Sequence, residues 1–145
     1  MKRIFSTTFI ILIFSVLNIA YGQLNTPRPS PSSTVTQQVG LANVSVAYSR
    51  PGAKGRVVFG ELVPYGKIWR TGANEPTKLT FSDTVTIEGK KLAPGEYALY
   101  TIPAETEWTV IIGKNPKLQA GDHTEANDAA RFKVKSEKLP AAVET

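Results

Sequence analysis

Between Tyr48 and Pro76 the sequence runs YSRPGAKGRVVFGELVPYGKIWRTGANEP, which places five lysines and arginines, four aromatic residues and five glycines in what reads mostly as loop. Residues of these types can do recognisable chemistry. Arg50, Arg56 and Arg70 can clamp a carboxylate, sulfate or phosphate, because a planar guanidinium offers paired donors that match those oxygens. Trp69 and Tyr65 can supply a stacking platform of the kind sugar sites use, with Asn74 as a two-point amide. The competing reading is architectural. Glu61, Glu75 and Asp83 lie close enough in sequence to neutralise the arginines, and long loops need side-chain donors for their backbone carbonyls. The stretch is therefore expected to be mainly scaffold, with a binding surface on top of it.

Other chemistries fail on spacing or on count. GELVPYGKI resembles a phosphate loop, but five residues rather than four separate Gly60 from Gly66, and Ile68 stands where a hydroxyl would meet the metal. There is no cysteine, hence no disulfide framework and no thiol chemistry. A single histidine, His123, leaves no His-rich metal site and one imidazole base. No GxSxG elbow accompanies it. In GDHTEANDAAR, Thr124 and Ala126 occupy the alternate positions after Asp122 where a calcium loop needs oxygen ligands. Glu105 and Glu107 could serve as a glycosidase pair, but they flank a turn and read as solubilising charges. Asn43-Val44-Ser45 fits a glycosylation acceptor, although its asparagine more simply serves a turn. No catalytic residue, metal or cofactor is expected.

The elements that position the basic stretch begin after a targeting segment. Lys2 and Arg3 precede an apolar run from Phe9 to Ala20 that ends in Ala20-Tyr21-Gly22, the pattern of a secretory signal peptide over residues 1–22. The run is too short to span a bilayer. Cleavage after Gly22 would release an exported chain that does not span the membrane and whose formal charge falls from +5 to +3, because Lys2 and Arg3 leave with the peptide. So small a charge, spread along the chain, is not a nucleic-acid footprint. Residues 23–33 are rich in proline and serine and read as an extended linker. Residues 34–145 are expected to form one domain.

In that domain apolar residues recur at period two, as a half-buried strand requires. In NVSVAYS, Val44, Val46 and Tyr48 share a face; Leu79 goes with Phe81, Val85 with Ile87, Trp108 with Val110 and Ile112, and Phe132 with Val134. GEYALYTIP is apolar on both faces, with Tyr97 and Leu99 opposed to Ala98, Tyr100 and Ile102, which predicts a central strand. Turn signals at Glu88-Gly89-Lys90, Pro94-Gly95 and Gly113-Lys114-Asn115-Pro116 separate the runs, and Pro94-Gly95 suits a type II turn. Short strands at this spacing predict an all-β, antiparallel two-sheet sandwich, jelly-roll-like or Ig-like, with one helical turn around Thr124 to Ala130.

The segments YSRP, KGR, FGELVPYGKIWRTGAN, GKKLAPGEYALYTIP and EWTVI resemble the secreted bacterial family known as domain of unknown function 2911, closely over Val44 to Asn115. The resemblance implies an exported, mostly β domain and brings no activity, substrate or catalytic residue. It also implies a tryptophan-glycine pair after EWTVI and a closing strand after a VET-like motif. Neither follows here, since the chain reaches Ala142-Val143-Glu144-Thr145 where that strand would begin, so a C-terminal strand is expected to be missing and a sheet edge left unpaired. The functional expectation is a non-catalytic binding or structural module of the cell envelope, its partner a glycan, an anionic small molecule or an envelope protein. The alternatives are a carboxylate-based hydrolase acting on carbohydrate and a scaffold without a small ligand.

Overall fold

A computed structural model describes residues 26–141. Residues 1–25, which include the expected signal peptide, and residues 142–145, where a further strand was expected to begin, lie outside the described residues. The described residues form eight strands: β1 (Ser32–Val39), β2 (Ala42–Ser49), β3 (Thr77–Phe81), β4 (Val85–Ile87), β5 (Lys90–Leu92), β6 (Gly95–Ile102), β7 (Glu107–Gly113) and β8 (Asp128–Lys135). Six make one antiparallel sheet in the order β1-β2-β3-β6-β7-β8, and β4 pairs with β5 in a second, small one. The fold is all-β, and the sheets form a sandwich-like pair of layers rather than a closed barrel.

The alternation read from the sequence decides which residues meet. On one face of the large sheet Leu79, Phe81, Ile112 and Ala130 are buried, and the β4–β5 hairpin closes over them with Leu92, Val85 and Ile87. Burying each large aliphatic or aromatic side chain there contributes about 1.5–3 kcal/mol. On the other face Ala98, Tyr100 and Ile111 are fully buried against Ile68, Ile102 and Ala120. The central strand β6 is thus covered on both sides, Tyr97 and Leu99 facing the hairpin and Ala98 and Tyr100 facing away. Tight turns set the register. Gly40 takes φ 60 in the two-residue turn Gly40-Leu41 between β1 and β2, and Glu88 and Gly89 take φ 47 and 72 between β4 and β5.

Two local expectations change. The helical turn around Thr124 to Ala130 is a single 3-10 turn, Glu125–Asn127, preceded by another at Ala120–Asp122. From Asp128 the chain is already strand, because β8 pairs with β7 as far as Gly113, across a bulge at Ile112/Gly113. At Pro94-Gly95 the glycine takes φ 149, not the value near +80 of a type II turn, and enters β6 opposite Phe81.

The residues between β7 and β8 fold over Tyr100. Its hydroxyl donates to the Leu118 carbonyl, its ring lies 4.7 Å from that of His123, and its burial pushes the phenol pKa up. A Cβ at Gly113 would stand 2.8 Å from the Tyr100 ring, whereas one at Gly121 would meet nothing within 4 Å. Gly113→Ala is therefore expected to destabilise the protein by about 1–3 kcal/mol through overpacking, with Gly121→Ala close to neutral. Chemical denaturation of the two variants checks this.

Candidate functional site

The connection from β2 to β3, residues 50–76, crosses the large sheet as a long irregular segment. It is tied down at one point of regular structure: Trp69 and Thr101 exchange two backbone hydrogen bonds of 2.7 and 2.9 Å. Trp69 thereby takes the place beside β6 that β3 has vacated, since the β3–β6 pairing begins at Thr77 and Leu99. A side chain alternates with its neighbour here as in any strand. Ile68 packs with Ala98, Tyr100 and Ile111, and the Trp69 ring meets Phe59 edge-on at 5.9 Å. Phe59 in turn meets Trp108 of β7 at 4.8 Å.

Between this crossover and the end of β2 lies a groove of about 1010 Å³, lined by Tyr48 and Ser49, by the apolar Phe59, Val63, Ile68 and Trp69, and by Arg50, Lys54, Arg56, Lys67 and Arg70. Among the described residues no aspartate or glutamate lines it. A concave wall carrying five cations and no carboxylate concentrates anions.

Of the residues singled out in the sequence, Arg50, Arg56, Trp69 and Arg70 line the groove, and Tyr65 and Asn74 do not. Tyr65 lies beneath the loop glycine Gly60, where an added Cβ would stand 3.1 Å from its ring. Asn74 donates to the Ser30 carbonyl at 3.3 Å and helps hold the N-terminal segment on the crossover. The three arginines separate by role. Arg56 donates from Nε to the Ala53 carbonyl at 2.9 Å and from Nη2 to the Gly52 carbonyl at 2.7 Å, so it braces its own loop. Arg50 is exposed, and its backbone N–H meets the Pro31 carbonyl. Arg70 is half-buried, and its Nε is shut away from solvent without a hydrogen-bond partner.

The carboxylates expected to neutralise these arginines do not. Among the described residues no ion pair involves Arg50, Arg56 or Arg70. Glu75 instead pairs with Arg28 at 3.2 Å. A backbone hydrogen bond and the Arg28 guanidinium hold the Glu75 carboxyl below the usual carboxylate range, so this exposed tether is complete at neutral pH and is released as acid protonates it. Asp83 caps its own turn through the Thr84 N–H. The sequence also gave no reason to place Tyr48 or Lys67 in the groove: Tyr48 shows only as the last apolar residue of a strand, and Lys67 only as one more cation.

The backbone next to Arg70 is strained. Thr71, a β-branched residue, takes φ 57, and such a position costs about 1–3 kcal/mol. It is held there by the Thr77 hydroxyl, which donates to the Thr71 carbonyl at 2.7 Å, and by contact of its own hydroxyl with that of Thr101 at 3.2 Å. Beside it, a Cβ at Gly72 would press on the Ser49 carbonyl at 3.2 Å. The strained turn follows directly on Arg70 at the groove wall.

The other candidates lie elsewhere. His123 is 2% exposed at its side chain; its Nε2 meets Asp128 Oδ1 at 2.6 Å, and Arg131 Nε donates to Asp128 Oδ2 at 2.6 Å. The Nδ1 atom is buried without a partner. This pair is enclosed by the loops between β7 and β8 and does not reach the groove. Glu107 pairs with Lys133 at 2.8 Å, and neither Glu105 nor Glu107 lines the groove. Among the described residues no group of three or more His, Asp and Glu side chains is placed to hold a metal ion, and no helix is long and apolar enough to cross a membrane.

The crossover and all eight strands fall inside one continuous stretch that a family model matches, residues 30–145. The chain belongs to the DUF2911 family. That family is described as protein of unknown function. No curated protein and no solved structure matches the chain. For this DUF2911 member the groove geometry is therefore the functional information at hand.

Replacing the bracing arginine tests how the groove wall is held. Arg56→Ala is expected to speed amide exchange in residues 52–58 while changing global stability by no more than about 1 kcal/mol, because both bonds lie in an exposed loop. Hydrogen exchange read by mass spectrometry, with denaturant unfolding alongside, gives both quantities.

Proposed function

We propose that the protein is an exported, non-catalytic binding module of the cell envelope, and that its groove takes a ligand joining an anionic group to a flat apolar or sugar-ring face. Arg70 carries this reading. Its side chain lines the groove with no ion-pair partner among the described residues, and its Nε is desolvated without an acceptor, a cost that an anion on the guanidinium would offset. Arg50 and Lys67 add charge at the same wall, and Trp69 with Phe59 offers the apolar surface. The lack of any carboxylate in the lining supports binding over hydrolysis by paired acids. Export rests on the basic, apolar and small-residue pattern of residues 1–22.

Titration calorimetry against uronic-acid oligosaccharides, short dicarboxylates and neutral oligosaccharides tests the groove. The anionic probes are expected to bind, and Arg70→Ala to weaken them roughly ten- to a hundredfold, the worth of a charge-assisted hydrogen bond. In the unliganded protein Arg70→Met is expected to leave stability unchanged or raised, because it removes a buried unpaired donor. Binding that survives Arg70→Ala intact, or the absence of binding by every anionic probe, would remove the proposal. Export is read separately, from the N-terminal residue of the protein recovered outside the cytoplasm, expected to be Gln23.

A further inference from the structure

The large sheet ends in two edges that differ in chemistry. On β8, Arg131, Lys133 and Lys135 stand at alternate positions, a usual guard against pairing with another chain. The other edge, β1, is the eight residues SSTVTQQV, with no charge and no proline, exposed at seven of its eight positions. Val35 and Val39 are 52% and 60% exposed, and Leu41 in the adjoining turn is 90% exposed.

The direction of the free backbone groups follows from one hydrogen bond. Arg50 N–H donates to the Pro31 carbonyl, so residue 31 points toward the β2 side. Antiparallel alternation then turns Ser33, Val35, Gln37 and Val39 toward β2 as well, and leaves the N–H and C=O groups of Thr34, Thr36 and Gln38 facing outward. An antiparallel partner on that side must pair even-numbered residues with even-numbered ones. When the partner is a second copy related by a two-fold axis, some residue then stands opposite itself.

We propose that β1 pairs with β1 of a second copy about a two-fold axis at Val35, fusing the two large sheets edge to edge. With the axis there, Thr34 faces the second copy's Thr36, Ser32 faces its Gln38, and Val35 faces its own counterpart in a non-hydrogen-bonded pair, where side chains approach most closely. No like charges meet anywhere along the strand, and the match is self-complementary. Val35 lies opposite Val46 of β2, which packs against the buried cluster under the hairpin, so the contact extends an existing apolar face. A two-fold arrangement consumes both uncharged edges and leaves only the guarded β8 edges outside, which closes the assembly at two copies.

The absence of cysteine makes the register directly testable. In a non-hydrogen-bonded antiparallel pair the Cα atoms are about 4.5 Å apart, within the range a disulfide spans. Val35→Cys in the purified protein is expected to give a covalent dimer under mild oxidation. Val39→Cys, whose two copies would stand roughly 27 Å apart along the strands, is expected to stay monomeric under the same conditions. Sedimentation equilibrium of the unmodified protein should show a concentration-dependent dimer that Val35→Lys abolishes, with unchanged circular dichroism because the position is already half exposed. A monomer at every concentration, or equal cross-linking rates at the two positions, would overturn the proposal.

Discussion

Two backbone hydrogen bonds between Trp69 and Thr101 decide what the long crossover is. Without them residues 50–76 would be held to the end of β6 by the Gly66 N–H to Pro103 carbonyl bond and little else of the main chain. With them the crossover becomes a short stand-in for β3 at the end of the central strand, and everything on either side is fixed by alternation. Ile68 is delivered to one core and Trp69 to the opposite face, where Phe59 links it to Trp108. Arg70 follows at the next position, and Thr71 bends the chain back toward Thr77. The groove wall is therefore positioned by main-chain geometry, and the side chains on it are carried along.

That division explains what could be read from residues alone. The strand β6 was legible because it is apolar at consecutive positions between two turn signals, and only burial on both faces accounts for such a run. Of the β4–β5 hairpin, the Val85 and Ile87 face and the turn at Glu88-Gly89 were legible, whereas the three-residue return strand Lys90–Leu92 was not. β1 was far less so, since Val35 and Val39 are its only apolar residues and nearly every position is exposed. It is strand because the turn at Gly40 folds it onto β2, a pairing that hydrophobic period cannot report.

The groove was half legible. Residue type singled out Arg50, Arg56, Trp69 and Arg70 together, and the fold gathers them. Tyr65 and Asn74 share the same stretch, yet Tyr65 packs under its own loop at Gly60 and Asn74 ties the N-terminal segment through the Ser30 carbonyl. Which carboxylate meets which arginine could not be read, because Glu75 finds Arg28, a partner 47 residues away, and passes over the arginines beside it. The short helical signal after Asp122 failed for a related reason. Pairing of β8 with β7 as far as Gly113 takes Asp128 and the residues after it before a helix can propagate beyond one turn.

The chain contains two tryptophans, and both lie against the same phenylalanine. Their indole emission thus originates from a single place, the seam between the crossover and the sheet beside the groove. Lifting that seam alters the tryptophan emission even if the β4–β5 hairpin stays closed, while the hairpin and the His123 loops are sensed by Tyr97 and Tyr100 instead. The molecule carries an intrinsic reporter at the seam beside the groove.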